Sequence, residues 1–333
     1  MAPVLRVLDS WWFRAASGLA LAGFVLRQGD AQALSLGFRS VVWTWLGMAV
    51  TLRMVALVAA SLRWQVLLAP MRAIGLGPIV SATMAGMAVS AAVSLQAAEV
   101  ARPLFLSRHA RIDVGAVAAT VVIDGLFELF GILTLFLASL IVFHGADPGH
   151  AVSRTAMGAS AGGLLVVPLV ALFLLRRLRV VAGRGPDWVR DRRWLPKTAR
   201  RCIARHFQSF GIGLSVLNCP TSLAKVTAYT VLISAASGVS VWLSLLAFGA
   251  AVPWPIGFLL LGFIAVGGLL PTPGAIGGFH AACHAGLLAF TTLHSAAAVV
   301  PILGVHAVYF APPAAVGALC LVWRPRLLPE NPL

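Results

Sequence analysis

Long apolar runs, separated by short basic or polar stretches, dominate this chain. A helix needs about 20 apolar residues to cross about 30 Å of hydrocarbon. Runs suited to that role fall roughly at 12–26, 40–62, 115–143, 153–175, 222–249 and 294–323. Two further apolar segments, 76–98 and 255–290, are less regular. The second is interrupted by Pro271, Thr272, Pro273, Gly274, Gly277 and Gly278, with His280 and His284 close behind. Prolines and glycines so close together break helices. Residues 226–323 contain no Asp, Glu, Lys or Arg, so the break lies in a stretch that belongs in lipid. A broken helix at that depth persists only where protein or a polar cavity covers the freed backbone groups.

Composition agrees with the pattern. The 333 residues are 60% hydrophobic and 11% charged, with a mean hydropathy of +0.93. Soluble domains run about 45–50% apolar and about 25% charged. The net charge of +15 (25 basic against 10 acidic residues) would suggest nucleic acid in a soluble chain. Here, with no nucleic-acid module, it points to cytoplasmic loops and anionic lipid headgroups. Cys202, Cys219, Cys283 and Cys320 show no paired spacing, so neither a disulfide framework nor a zinc site is predicted. Arg6 and Arg14 precede an apolar run, as in a signal peptide. The following Leu26-Arg27-Gln28-Gly29-Asp30 offers no small-residue cleavage site, which predicts a retained first span.

Basic residues orient such an array. Residues 176–205 hold eleven Lys or Arg against Asp187 and Asp191, which places this loop in the cytoplasm. Arg63 and Arg72, then Arg102, Arg108 and Arg111, mark two more cytoplasmic stretches. Arg324 and Arg326 put the C-terminus on the same side, and the nearly neutral loop 144–152 suits the outside. Segment 76–98 then has cytoplasmic flanks at both ends, and segment 255–290 has outer flanks at both ends. Two re-entrant hairpins entering from opposite faces satisfy both, as an inverted repeat with a midplane site requires. Two full crossings with misleading flanks are the alternative. The predicted fold is an all-α polytopic membrane protein of about 6–8 transmembrane helices, with two re-entrant helical hairpins related as an inverted repeat. It forms one domain over 1–333: a first half 1–175, a basic cytoplasmic loop 176–217 and a second half 218–333.

Of the ten acidic residues, Glu99, Asp124 and Glu128 lie in or beside apolar runs. Asp124 and Glu128 share a helix face. Buried carboxylates need pairing or protonation, and Arg102, with Glu99 three residues before it, is the expected partner. Two readings stand: a structural ion cluster, or a polar site for a headgroup or a proton. His280 and His284 are likewise four apart, followed by His294 and His306. No fitting acidic or thiolate ligand accompanies them, so no metal is predicted. Headgroup bonding, proton handling and simple packing remain. The glycines permit close helix packing. A helix starting after Pro273 would also aim N–H groups into the membrane, a cradle for phosphate or carboxylate. Trp188 and Trp194 interleave the charges of the basic loop, so part of it suits the membrane surface.

These residues together resemble a known family. Leu270-Pro271-Thr272-Pro273-Gly274-Ala275-Ile276-Gly277-Gly278 is similar to the Pro-x-Pro-Gly-Gly-(Ile/Val)-Gly element of the lysylphosphatidylglycerol synthase transmembrane region, or flippase-like domain family. Arg63-Trp64-Gln65-Val66-Leu67-Leu68 resembles its Arg-Trp-x-x-Leu-Leu. Ala98-Glu99-Val100-Ala101-Arg102-Pro103 resembles its Gly-Glu-x-x-Arg-(Ala/Pro), and Val121-Val122-Ile123-Asp124-Gly125-Leu126-Phe127-Glu128 its Val-Val-x-(Asp/Glu)-Arg-x-x-Asp. The matches come in the family's order. Gly125 stands where the family often has Arg, Ala98 replaces Gly, and His280 stands where many members have Glu. The resemblance implies a multi-span bacterial inner-membrane protein that moves a lipid or lipid-linked molecule between leaflets. It implies no aminoacyl transfer, since the soluble transferase domain of the synthase does not follow here.

The expected partner is a membrane phospholipid or other anionic or amphiphilic lipid, with a homo-oligomer compatible and no cofactor. The candidate substrate-binding set is Glu99, Arg102, Asp124, Glu128, Pro271, Thr272, Pro273, Gly274, Gly277, Gly278, His280 and His284. A scaffold subunit of envelope lipid or glycan synthesis is the main rival. An intramembrane lipid-modifying enzyme would use Asp124, Glu128 and His280 as acid–base groups, but no nucleophile, base and orienting group form a set.

Overall fold

The computed structural model describes residues 39–146, 219–293 and 295–323, with isolated helical positions at 23, 166, 170, 173, 174 and 177. The expected spans 12–26 and 153–175 and the basic loop 176–217 lie outside the described residues, apart from those isolated positions. So do Trp188, Trp194, Cys202, His294, Arg324 and Arg326.

Two runs of helices repeat one order of lengths. The first is α1 (Trp43–Leu68), α2 (Leu76–Ala92), α3 (Leu95–Ala110) and α4 (Val114–Ala146). The second is α5 (Pro220–Ala247), α6 (Pro255–Gly267), α7 (Gly278–Phe290) and α8 (Ser295–Trp323). Each quartet reads long, short, short, long. The long helices α1, α4, α5 and α8 are long and apolar enough to cross a membrane. The short ones have 17, 16, 13 and 13 residues, about 20–25 Å at 1.5 Å per residue.

Local chemistry sets the boundaries. Pro220 and Pro255 occupy the first turns of α5 and α6, where a missing N–H costs nothing. The Ser94 hydroxyl caps α3 by accepting from the Ala97 N–H at 3.1 Å. Arg111 ends α3 in the left-handed conformation, with φ 52°.

The short helices pair within each quartet, α2 on α3 and α6 on α7. Arg72 Nη1 donates to the Ala110 carbonyl at 2.7 Å, which ties the start of the first hairpin to its end. In the second hairpin, Gly267 and Gly278 let two backbones touch. A Cβ on either would meet the other's carbonyl oxygen at 2.5 Å.

Packing between the quartets is reciprocal. The last helix of each lies on the first short helix of the other, α8 on α2 and α4 on α6. The two leading helices run antiparallel: the Val42 N–H bonds the Ala247 carbonyl at 2.9 Å, and Ser240 Oγ donates to the Ala49 carbonyl at 2.7 Å. The main core gathers residues such as Ile256, Leu259, Phe279 and Leu287 from the second hairpin against Met84, Leu245 and Ile302.

Three sequence boundaries are corrected. The span expected at 40–62 continues to Leu68, because Arg63 is neutralised inside the bundle and has no need to reach water. The hairpin expected at 76–98 extends to Ala110, its second arm passing through Pro103. The helix expected directly after Pro273 is a single 3-10 turn, Pro273–Ala275, because Gly274 has φ 58°, and the α-helix begins at Gly278.

The glycine contact is testable. Gly278→Ala should lower stability by about 1–3 kcal/mol, because backbone must move to admit the methyl. Gly47→Ala, on exposed helix with nothing within 4 Å, should be neutral or gain up to about 1 kcal/mol. Thermal unfolding in detergent, followed by size exclusion, compares the two.

Candidate functional site: an ion cluster beside two meeting hairpin tips

The charges converge from α1, α3 and α4. Arg63 is fully buried on α1. Its Nε lies 2.7 Å from Asp124 Oδ1, and its Nη2 lies 3.6 Å from Glu128 Oε2. Its Nη1 donates at 3.2 Å to Thr230 Oγ1 on α5, whose own proton goes to the Val226 carbonyl at 2.8 Å. Asp124 and Glu128 face the same partner because they are four apart on α4. Arg102 on α3 bonds Glu99 at 2.5 Å, one helical turn earlier, and lies 3.9 Å from Asp124 Oδ2.

Small residues and an aromatic wall make room for the second arginine. A Cβ at Gly86 of α2 would meet Arg102 Cγ at 2.5 Å. The Arg102 guanidinium sits 5.6 Å from the centre of the Trp64 ring, and Trp64 is anchored by its indole N–H to Thr120 Oγ1 at 2.9 Å. Pro103 also removes the helical donor that the Glu99 carbonyl would otherwise receive.

With all five groups ionised, the charge is two guanidiniums against three carboxylates, or −1. Asp124 is sealed, at 1% side-chain exposure. Glu99 and Glu128 are about half-exposed, at 48% and 45%. The open edge of the cluster is therefore acidic.

The hairpin tips meet near this cluster. Gln96, in the first turn of α3, donates its amide to the carbonyls of Gly268 (2.8 Å) and Leu269 (3.2 Å). Those carbonyls follow the last turn of α6 and lack helical partners. The 3-10 turn at Pro273–Ala275 packs against α2 and α3. At this joint the Ser90 and Thr272 hydroxyls are buried without a hydrogen-bond partner.

The histidines hold the second tip. His280 Nδ1 accepts the Gly277 N–H at 3.3 Å, which requires an unprotonated Nδ1. His306 Nε2 lies 2.8 Å from the Gly274 carbonyl, so Nε2 carries the proton. The two rings are tilted by 36° with centroids 4.6 Å apart, and Phe279 and Phe310 flank His306. Gly277, with φ 91° and ψ −65°, takes a backbone conformation reserved for glycine. His284 is buried in the same helix.

Apart from His284, one turn farther along α7, the predicted site residues fall into two groups. Glu99, Arg102, Asp124 and Glu128 form one ion cluster. Pro271, Thr272, Pro273, Gly274, Gly277, Gly278 and His280 build the second tip. Among the described residues, no hydrogen bond or ion pair links the first group to the second, and the tips meet through Gln96 instead. Arg63, Thr230, Gln96 and His306 were not among the sequence candidates. Arg63 was legible as a loop flank and as the start of a family motif, but not as a site residue, although its place before Trp64 in an apolar run was the available signal. Among the described residues, no three His, Cys, Asp or Glu side chains gather as metal ligands.

The family described as the lysylphosphatidylglycerol synthase TM region matches residues 11–317, and the chain belongs to it. No curated protein matches the chain. Membership makes this a multi-pass membrane protein tied to lipid biosynthesis or flipping.

The buried pair yields a prediction. Arg63→Met leaves Asp124 without its nearest cation and should cost about 3–5 kcal/mol. Arg63→Met combined with Asp124→Leu removes both charges and should recover part of that loss. Unfolding of both variants in detergent measures the difference, and equal losses would contradict the pairing.

Proposed function

We propose that this protein translocates a polar lipid between the leaflets of a bacterial inner membrane. The headgroup carries an ammonium, alone or beside a phosphate, and passes along the joint between the two hairpins. The observation that carries this reading is the acidic open edge formed by Glu99 and Glu128 over an otherwise neutralised buried cluster. An ammonium there completes the charge balance, which an anionic headgroup would not do. The unpartnered hydroxyls of Ser90 and Thr272 supply further polar contacts at the joint.

We infer that α2–α3 and α6–α7 are re-entrant hairpins of an inverted repeat. Four observations support this: the repeated order of helix lengths, the antiparallel pairing of α1 with α5, the reciprocal packing of α2 with α8 and α6 with α4, and short helices that fall below about 30 Å. An inverted repeat of this kind permits alternating access around a fixed site. The enzyme reading is weaker, because His280 is occupied in capping α7 and Asp124 in holding two arginines.

The test is leaflet exchange in proteoliposomes, using fluorescent phosphatidylethanolamine and a dithionite quench. Wild-type protein should accelerate exchange, and Glu99→Gln or Glu128→Gln should slow it by about tenfold, the equivalent of one charge-assisted contact. Failure of wild-type protein to move any polar lipid supplied would refute the reading.

Orientation has its own test. Cys219 is exposed at the start of α5, and its thiol is lowered to about 7 by the Thr221 hydroxyl 3.0 Å from its sulfur, with help from Ser222. It therefore reacts readily at neutral pH. In a variant with Cys202, Cys283 and Cys320 replaced by Ser, an impermeant maleimide should label inside-out vesicles and spare intact cells. The reverse pattern would place the 176–217 loop and the start of α5 outside.

A further inference from the structure

A second buried arginine lies ten residues before Arg63 on α1. Arg53 is only 6% exposed. Its guanidinium carbon sits 3.5 Å from the centre of the Tyr309 ring on α8, and its Nε donates to the Tyr309 carbonyl at 3.3 Å. The sequence explains that bond. Pro313 lies four residues after Tyr309 and has no N–H, so the Tyr309 carbonyl loses its helical donor. Arg53 Nε replaces it.

This structural task uses the face of the guanidinium and one nitrogen. Among the described residues, Nη1 and Nη2 of Arg53 make no hydrogen bond and no ion pair. Arg63 and Arg102 each face carboxylates, but among the described residues Arg53 faces none. A cation within a spanning helix, whose Nη1 and Nη2 meet no partner among the described residues, is an incomplete ion pair.

We propose that Arg53 is an anion station, where Nη1 and Nη2 grip the phosphodiester of a membrane phospholipid. A planar fork matches two phosphate oxygens. Ten residues at 1.5 Å each separate Arg53 from Arg63 by about 15 Å along α1, too far for one headgroup to touch both. The two positions are successive stops, so this inference rests on the translocase reading for its purpose though not for its test.

The experiment is native mass spectrometry of the purified full-length protein with added phosphatidylglycerol, and with diacylglycerol of the same chains as the neutral control. Arg53→Gln should retain about tenfold less phosphatidylglycerol, the loss expected for one charge-assisted contact, with diacylglycerol unchanged. Retention within about twofold of wild type, less than one such contact, would overturn the proposal. If Arg53→Gln does not fold, Arg53→Lys decides: about threefold weaker phosphatidylglycerol retention supports the fork, and wild-type retention overturns it. Inorganic phosphate in excess should leave the bound lipid in place; displacement would assign the station to free phosphate and overturn the lipid as occupant. Because no leaflet exchange is measured, wild-type protein inactive in liposomes would refute the translocase and leave this result standing.

Discussion

The contact on which the first quartet depends is the buried bond between Arg63 and Asp124. A guanidinium with no solvent exposure persists in an apolar bundle only if its charge and its N–H groups are met. Asp124, Glu128 and Thr230 meet most of them from two other helices. The bond therefore fixes the rotation of α4, because Asp124 and Glu128 must both face α1. It also fixes the register of α1 against α5 through Thr230. Such a pair contributes little net stability compared with an apolar core, yet losing half of it is costly. Its value lies in permitting one arrangement, from which Arg102 and Glu99 take their positions.

A second theme is the repair of broken backbone. Helix breaks in an apolar setting release carbonyls and N–H groups that water cannot reach. Here the repairs come from side chains on other elements or just downstream. Gln96 answers the end of α6, His280 the N–H of Gly277, His306 the carbonyl of Gly274, and Arg53 the carbonyl freed by Pro313. Each repair ties a flexible break to a rigid helix. The second tip is consequently a defined shape, although it contains two prolines and three glycines within residues 271–278.

The sequence carried the long helices well. The expected runs 115–143, 222–249 and 294–323 lie close to α4, α5 and α8, because uninterrupted apolar length is a strong signal. The break at 271–278 was equally legible from its prolines and glycines. Charge misled in one place. Arg63 read as a loop marker, because a cation counts toward the cytoplasmic side until a partner neutralises it, and its partners come from a helix distant in sequence. Asp124 was recognised as needing a partner, yet its nearest one lies 61 residues away on α1, where no local spacing rule reaches. Gln96 was invisible for the same reason: its role depends on two hairpin tips meeting. The histidines were ambiguous in sequence, and geometry assigns His280 and His306 to backbone support.

The uneven distribution of charge has an electrical consequence. A side-chain charge moved across a membrane exchanges about 2.3 kcal/mol with each 100 mV of potential. Among the described residues of the second quartet, only Lys225, at the exposed start of α5, carries such a charge. Rocking of α6, α7 and α8 would carry no side-chain charge through the field, so membrane voltage would neither drive nor hinder it. Under the proposed translocation, voltage would act on the charges of the first quartet and on a charged headgroup, so a cell's energised state would register in the direction such a lipid travels while α6, α7 and α8 stay electrically silent.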